Sequence, residues 1–251
     1  MGKAEILCLY DEGAKVGTHL IGGAGCSFLI DVDGERTLFD TGSRGNVLVR
    51  NMSELEIKAD SVNRVVISHG SIKHIGGLNS FMNERKEKVE VYSNPSSWNV
   101  KRMFGGSIIS EENEPGIIHR YVDNEWIQLS KNLFITPIIN SNAKESALVL
   151  CTNEGAVVIS ACGHDGIVET LKVVSERFDR IYALVGGIHF RKKKQPEVNL
   201  IVSEIKESFG VRKLVMNGCT TAEGIQKMRV AIGNDKVVDL FVGDRLDFQT
   251  Y

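Results

Sequence analysis

Residues 65–78 read VVISHGSIKHIGGL, and this stretch decides the reading of the chain. Its head completes VNRVVIS, residues 62–68, a short β-branched run of the kind that forms a buried strand. His69 follows that strand directly, His74 comes five residues later, and Gly76-Gly77 opens a helix expected over 77–85. Strand ends that face a helix layer are where open α/β sheets place their ligand sites. Two further expected strands lead to histidines. AVVISA, residues 156–161, runs on to His164, and IYALV, residues 181–185, runs through Gly186-Gly187 to His189.

Outward from these points the punctuation is regular. Strands are expected at 4–10, 27–32, 36–39, 62–68, 89–92, 133–137, 146–151, 156–161, 181–185, 211–216 and 237–241. Hairpins close on Asp33-Gly34 and on Asn153-Glu154-Gly155. Helices are expected at 45–55, 77–85, 166–178, 196–209 and 221–232, with a short one at 95–103. The middle, 96–123, is weakly patterned, and 105–116 reads as loop. The first half is strand-rich, the second alternates strand and helix, and no repeat or linker interrupts 1–251, which reads as a single domain.

At 251 residues a chain can bury roughly 70–75% of its unfolded surface, so neither disulfide nor metal is needed merely to fold. Thirty Lys and Arg against 32 Asp and Glu leave a net charge of −2, which gives no support to a nucleic-acid or membrane-surface partner. No run of about 18 apolar residues is present, so no membrane span is expected. Asp11 and Glu12 interrupt any signal-peptide core. Five scattered cysteines without a CxxC pair predict a reduced, cytoplasmic protein.

LFDTG at 38–42 followed by VVISHGSIKHIGGL resembles the metallo-β-lactamase superfamily, where a Leu-Phe-Asp-Thr-Gly strand end precedes a His-x-His-x-Asp-His loop ending in Gly-Gly-Leu. The resemblance continues in AVVISACGHDGIVETL (156–171), LVGGIHF (184–190) and MNGCTTAEGI (216–225). These look like a subfamily that includes archaeal dihydropterin–ribofuranosylaminobenzene phosphate synthases. The resemblance implies an α/β (α+β) fold, the four-layer αββα sandwich, with the site at one edge between the sheets. It also implies metal ligands at His69, His74, His164 and His189. Asp40 is implied as a support that hydrogen-bonds the histidine loop.

Three positions depart from the pattern. Ser71 stands at the second His, Lys73 at the Asp, and Gly218 at the His of the His-Cys-Thr-Gly segment, and none is a good zinc ligand. A lysine is a fixed cation unless strongly desolvated. Within about 4 Å of a divalent ion, at an effective dielectric near 20, its repulsion is roughly 8 kcal/mol before screening. A two-metal site is therefore not expected, and two readings stand: one zinc or other divalent ion, or a metal-free pocket. Lys73 either stands where a second cation would and attracts the same anionic group, or turns outward as the residue of a lost site.

Lys73 and Asp40 are thus the candidate catalytic residues, with Ser71, Arg191 and Lys192 as candidates for substrate binding. The run RKKK at 191–194 reads as a solvated loop or as an anion grip suited to phosphate. Cys162 and Cys219 read as buried inert thiols, with a thiolate ligand as the alternative for each. Gly22-Gly23-Ala24-Gly25 precedes a strand rather than a helix, so it fits a flexible loop near the site better than a dinucleotide fingerprint. His19 and His119 read as surface or loop residues.

The expected function is that of a divergent hydrolase-like protein acting on or binding a small anionic ligand, phosphorylated or pterin-like. The alternative is a non-catalytic binding or regulatory protein that keeps the fold.

Overall fold

A computed structural model describes residues 2–100, 107–139, 143–164 and 166–251. In chain order the strands are β1 (Gly2–Tyr10), β2 (Ser27–Val32), β3 (Glu35–Phe39), β4 (Arg64–Val66), β5 (Val89–Ser93), β6 (Ile117–Tyr121), β7 (Ile127–Ser130), β8 (Leu133–Ile135), β9 (Leu148–Thr152), β10 (Gly155–Ser160), β11 (Ile181–Gly186), β12 (Lys213–Met216), β13 (Val237–Asp239) and β14 (Arg245–Thr250). The helices are α1 (Gly45–Glu54), α2 (Ile72–Ile75), α3 (Leu78–Asn83), α4 (Ile167–Ser175), α5 (Gln195–Glu207) and α6 (Ala222–Ile232). The chain divides into two compact units, the first of 2–123 with 241–248 and the second of 124–240 with 249–251.

The first unit is built on a sheet of order β14-β1-β2-β3-β4-β5-β6. Its β1, β2 and β3 pair antiparallel, and β3 through β6 pair parallel. Parallel neighbours need crossovers, and α1 supplies that from β3 to β4 and the α2–α3 pair that from β4 to β5. Leu48 of α1 and Leu78 and Phe81 of α3 are fully buried in one cluster with Leu7, Leu38, Val65 and Val91 of the strands. Each such side chain stabilises the unit by roughly 1.5–3 kcal/mol, which is what holds helix to sheet.

The second unit repeats the plan in a sheet of order β13-β12-β11-β10-β9-β8-β7. Here β7 to β10 pair antiparallel, and β10 to β13 pair parallel with α4, α5 and α6 as crossovers. Leu171, Val174, Val198, Val202 and Met228 pack with Val158, Leu184 and Met216 in its core.

Several expectations are corrected. The strand expected at 62–68 is only Arg64–Val66, because a 3-10 turn at Ala59–Ser61 precedes it and Ser68 and His69 leave the ladder to meet Asp40 and each other. The short helix expected at 95–103 is a 3-10 turn at Pro95–Asn99, while 101–106 lie outside the described residues. Three strands, β6, β7 and β14, were not expected. His119 accordingly lies half-buried on β6 rather than in a loop. The segment 22–25 is a loop beside α2, as expected, in which Gly23 donates to the Asp11 carbonyl at 2.8 Å and both Gly23 and Gly25 are buried. Gly25 has φ +101°, and a Cβ there would collide with the Lys73 carbonyl.

Candidate functional site

The parallel strands end in chemistry in both units. In the first, β3 runs into Asp40, which is fully buried and holds a left-handed backbone at φ +60°. A non-glycine residue there costs free energy and persists only where surrounding contacts impose it. The contacts are visible. Asp40 Oδ1 accepts from the Ser68 amide at 2.7 Å, and Oδ2 accepts from the Ser68 hydroxyl at 2.7 Å. His74 Nδ1 lies 2.7 Å from the same Oδ2. A carboxylate only accepts, so His74 Nδ1 carries the proton and donates. The Ser68 hydroxyl spends its one proton on Asp40, so across the 2.9 Å contact it accepts from His69 Nδ1. Asp40 thus sets both tautomers, directly for His74 and through Ser68 for His69. With Nδ1 protonated, Nε2 is the nitrogen of each neutral ring that can serve as a ligand atom. Both rings are buried, with centroids 4.2 Å apart.

Cys26 joins this group, its Sγ 3.7 Å from His74 Nδ1 and 3.9 Å from Asp40 Oδ2. Cys26, Asp40 and His74 have the composition of a metal site. The 2.7 Å separation of His74 Nδ1 and Asp40 Oδ2 is that of a hydrogen bond, however, so this trio orients the His74 ring.

The next four residues explain what the loop has become. Ser71 caps α2, its Oγ accepting from the Lys73 amide at 3.4 Å. Lys73 is exposed on that short helix, while His74 beside it is buried. Neither Ser71 nor Lys73 offers an imidazole or carboxylate.

In the second unit, β10 leads to Cys162 and His164, and β11 leads to His189 at φ +46°, again left-handed. Cys162 Sγ lies 3.4 Å from His189 Nδ1, and the His164 and His189 ring centroids are 4.3 Å apart. One ligand atom from each of Cys162, His164 and His189 lies within 4.8 Å of the others. Cys162 is buried, His189 half-buried and His164 exposed, so the trio is open on one side. With Zn–S near 2.3 Å and Zn–N near 2.0–2.1 Å, tetrahedral ligands stand roughly 3.5 Å apart, so the Cys162–His189 spacing fits one ion.

The loop carrying Cys162 and His164 is held from beneath by Glu145, a buried carboxylate. Its Oε1 accepts from the Cys162 and Gly163 amides at 2.9 and 3.0 Å, and its Oε2 accepts from the His164 amide at 2.9 Å. Gly187, before His189, has no room for a Cβ between the Ala161 carbonyl and Cys219. Gly218 begins a 3-10 turn capped by Asn217, whose Oδ1 accepts from the Cys219 amide at 3.1 Å. Arg191 and Lys192 are exposed in the turn that follows His189-Phe190.

Ser68, Cys26 and Glu145 were not identified from sequence. Ser68 lies inside the stretch 65–78 and Cys26 beside the run 22–25, and both could have been found there. Glu145 lies in NSNAKES, a stretch that reads as surface, and only the fold turns it inward.

Two mixed sheets with helices define an α/β protein, and in each unit parallel strands end in candidate ligand residues, Asp40, His69 and His74 in the first and Cys162, His164 and His189 in the second. Residues 20–173 match the metallo-β-lactamase superfamily, and the chain belongs to it. It is 25% identical to the 7,8-dihydropterin-6-methyl-4-(β-D-ribofuranosyl)-aminobenzene-5′-phosphate synthase of Methanocaldococcus jannaschii, over 78% of this chain and 80% of that protein. A solved metal-dependent hydrolase of the β-lactamase superfamily is 27% identical, with a TM-score of 0.78 over 97% of this chain and 98% of that one. The metallo-β-lactamase-fold protein YhfI from Bacillus subtilis superposes with a TM-score of 0.69 at 13% identity, over 98% of this chain and all of that one (100%). Among the described residues no helix is long and apolar enough to cross a membrane.

Proposed function

We propose that the chain is a divergent hydrolase-like protein that binds and acts on a small anionic ligand, phosphorylated or pterin-like, with at most one divalent metal ion. The observation that carries this reading is the α2 loop: Ser71 is spent on a helix cap and Lys73 brings a fixed cation where the family places a carboxylate. The loop therefore lacks donors for a second ion. Cys162, His164 and His189 are the residues that would hold one in the second unit, and His69 and His74 present Nε2 in the first. A divalent ion supplies Lewis-acid polarisation of a phosphate or ester oxygen.

The chain's own residues do the rest. Asp40 and Ser68 hold the tautomers of His74 and His69, and Glu145 holds the loop of Cys162 and His164. Lys73, Arg191 and Lys192 are exposed cations that attract an anion by Coulomb attraction screened over about 10 Å at 0.1 M salt. The ligand class is supported by the Methanocaldococcus relative, whose name joins a dihydropterin to a ribose 5′-phosphate.

The test is calorimetric titration with ribose 5-phosphate, followed by assay of bis(4-nitrophenyl) phosphate hydrolysis. Binding that weakens in Lys73→Ala at low salt, with turnover lost in His189→Ala, supports the reading. Binding without turnover supports instead the non-catalytic binding protein, which the losses at Ser71, Lys73 and Gly218 also favour. Absence of binding at low ionic strength contradicts both.

A further inference from the structure

We propose that the first unit carries a separate aromatic subsite for a planar heterocycle with an amino-substituted amidine edge, the edge found in a pterin. Trp98, His119 and Tyr121 form its walls and Glu111 receives the edge. This rests on the pterin-like reading above and says where that ring is held.

A cavity of about 580 Å³ lies against Trp98, Ile109, Glu111, Glu114, His119 and Tyr121. That volume is within the roughly 300–1,000 Å³ of small-molecule sites. His119 and Tyr121 are two apart on β6, so both project from the same face of the strand. Their rings lie 26° from parallel with centroids 6.5 Å apart. Trp98 meets the His119 ring edge-on at 4.5 Å. The rings are held in place: Trp98 Nε1 donates to Ser93 Oγ at 2.8 Å, and His119 Nε2 lies 2.9 Å from Glu114 Oε1. Tyr121 is nevertheless 61% exposed, a large ring face left to solvent at a sheet edge. Aromatic faces of this kind stack flat heterocycles, at roughly 1–3 kcal/mol per ring.

Charge decides which part of a ligand enters. Among the described residues the cavity lining carries the two carboxylates of Glu111 and Glu114 and no Lys or Arg. A phosphate would be repelled there. A ring edge with two parallel N–H groups suits a carboxylate, which accepts both at once. Glu114 is engaged with His119, so the exposed Glu111 is assigned to the edge. The subsite also adjoins the histidine loop. The turn Pro95–Asn99 that carries Trp98 packs on Gly70, the residue after His69, where a Cβ would stand 2.9 Å from Ser97 Cα.

Equilibrium dialysis of the full chain with pterin, guanosine and lumazine tests this. Pterin and guanosine share the amino-amidine edge, and the tighter of the two identifies its source. Lumazine has a carbonyl in place of the amino group and should bind at least tenfold more weakly. Tyr121→Ser and Glu111→Gln, both at exposed positions, should each weaken pterin roughly tenfold. Pterin that binds equally to wild type and both variants overturns the subsite and leaves the proposed function standing. No binding of any of the three rings overturns the subsite together with the pterin part of that function, while ribose 5-phosphate binding tests the anionic part independently.

Discussion

His74 Nδ1 and Asp40 Oδ2 stand 2.7 Å apart with both side chains buried. One carboxylate at the end of β3 therefore organises both histidines of the loop, the second through Ser68. Removing one member of a buried, hydrogen-bonded group of this kind costs about 3–5 kcal/mol, because the remaining partners stay desolvated. Asp40→Ala is expected to lose that much in urea unfolding. Asp40→Asn should lose less, yet nitrogen-15 NMR should show the fixed tautomers of His69 and His74 becoming mixed.

Glu145 gives a second expectation. Three consecutive amides converge on it, so Glu145→Ala leaves three buried donors unsatisfied beneath Cys162 and His164. A loss of about 3 kcal/mol in thermal or urea unfolding follows. Glu145→Gln keeps one acceptor oxygen and should recover part of it. Hydrogen exchange at residues 162–164 should quicken in the alanine variant before exchange elsewhere does.

What could be read beforehand follows from how local each signal is. The β3–α2 region was legible because LFDTG and SHGSIKHIGGL carry strand, turn and ligands within one contiguous segment. The edge strand β6 was not, since only Ile117 of IIHRY is buried and no alternation survives. In β14, RLDFQT, only Phe248 and Thr250 are buried, and its pairing with β1 is set by the fold. Glu145 was invisible for the same reason: a single acid in a polar stretch becomes a buried support only when β10 ends above it. For Cys162 the sequence left two readings, an inert core thiol and a thiolate ligand, because it follows an apolar strand and shows no partner nearby. Its contact with His189, 27 residues on, exists only in the folded sheet.

Stability should fall at alkaline pH, and Cys8 is one cause. Burial pushes its thiol well above the usual value of about 9, and the nearby Asp11 and Asp244 add to the effect. Above that pH the unfolded chain releases the proton while the folded chain keeps it, so the folded state binds more protons and unfolding becomes more favourable as pH rises. The contribution is fully present below pH 9 and declines above it, by at most about 1.4 kcal/mol per pH unit. Unfolding free energies measured from pH 8 to 10.5 should show a shallower decline in Cys8→Ala than in wild type, whatever the variant's stability at pH 8.

The central claim is that the chain holds at most one metal ion, with Cys162, His164 and His189 as its ligand set in the second unit. Elemental analysis of protein purified without added metal or chelator, repeated after dialysis against excess zinc, measures this directly. The account predicts no more than one divalent ion per chain under either condition, with any bound ion lost in Cys162→Ala. Two zinc, iron or manganese ions per chain, or a single ion retained in Cys162→Ala, would contradict it.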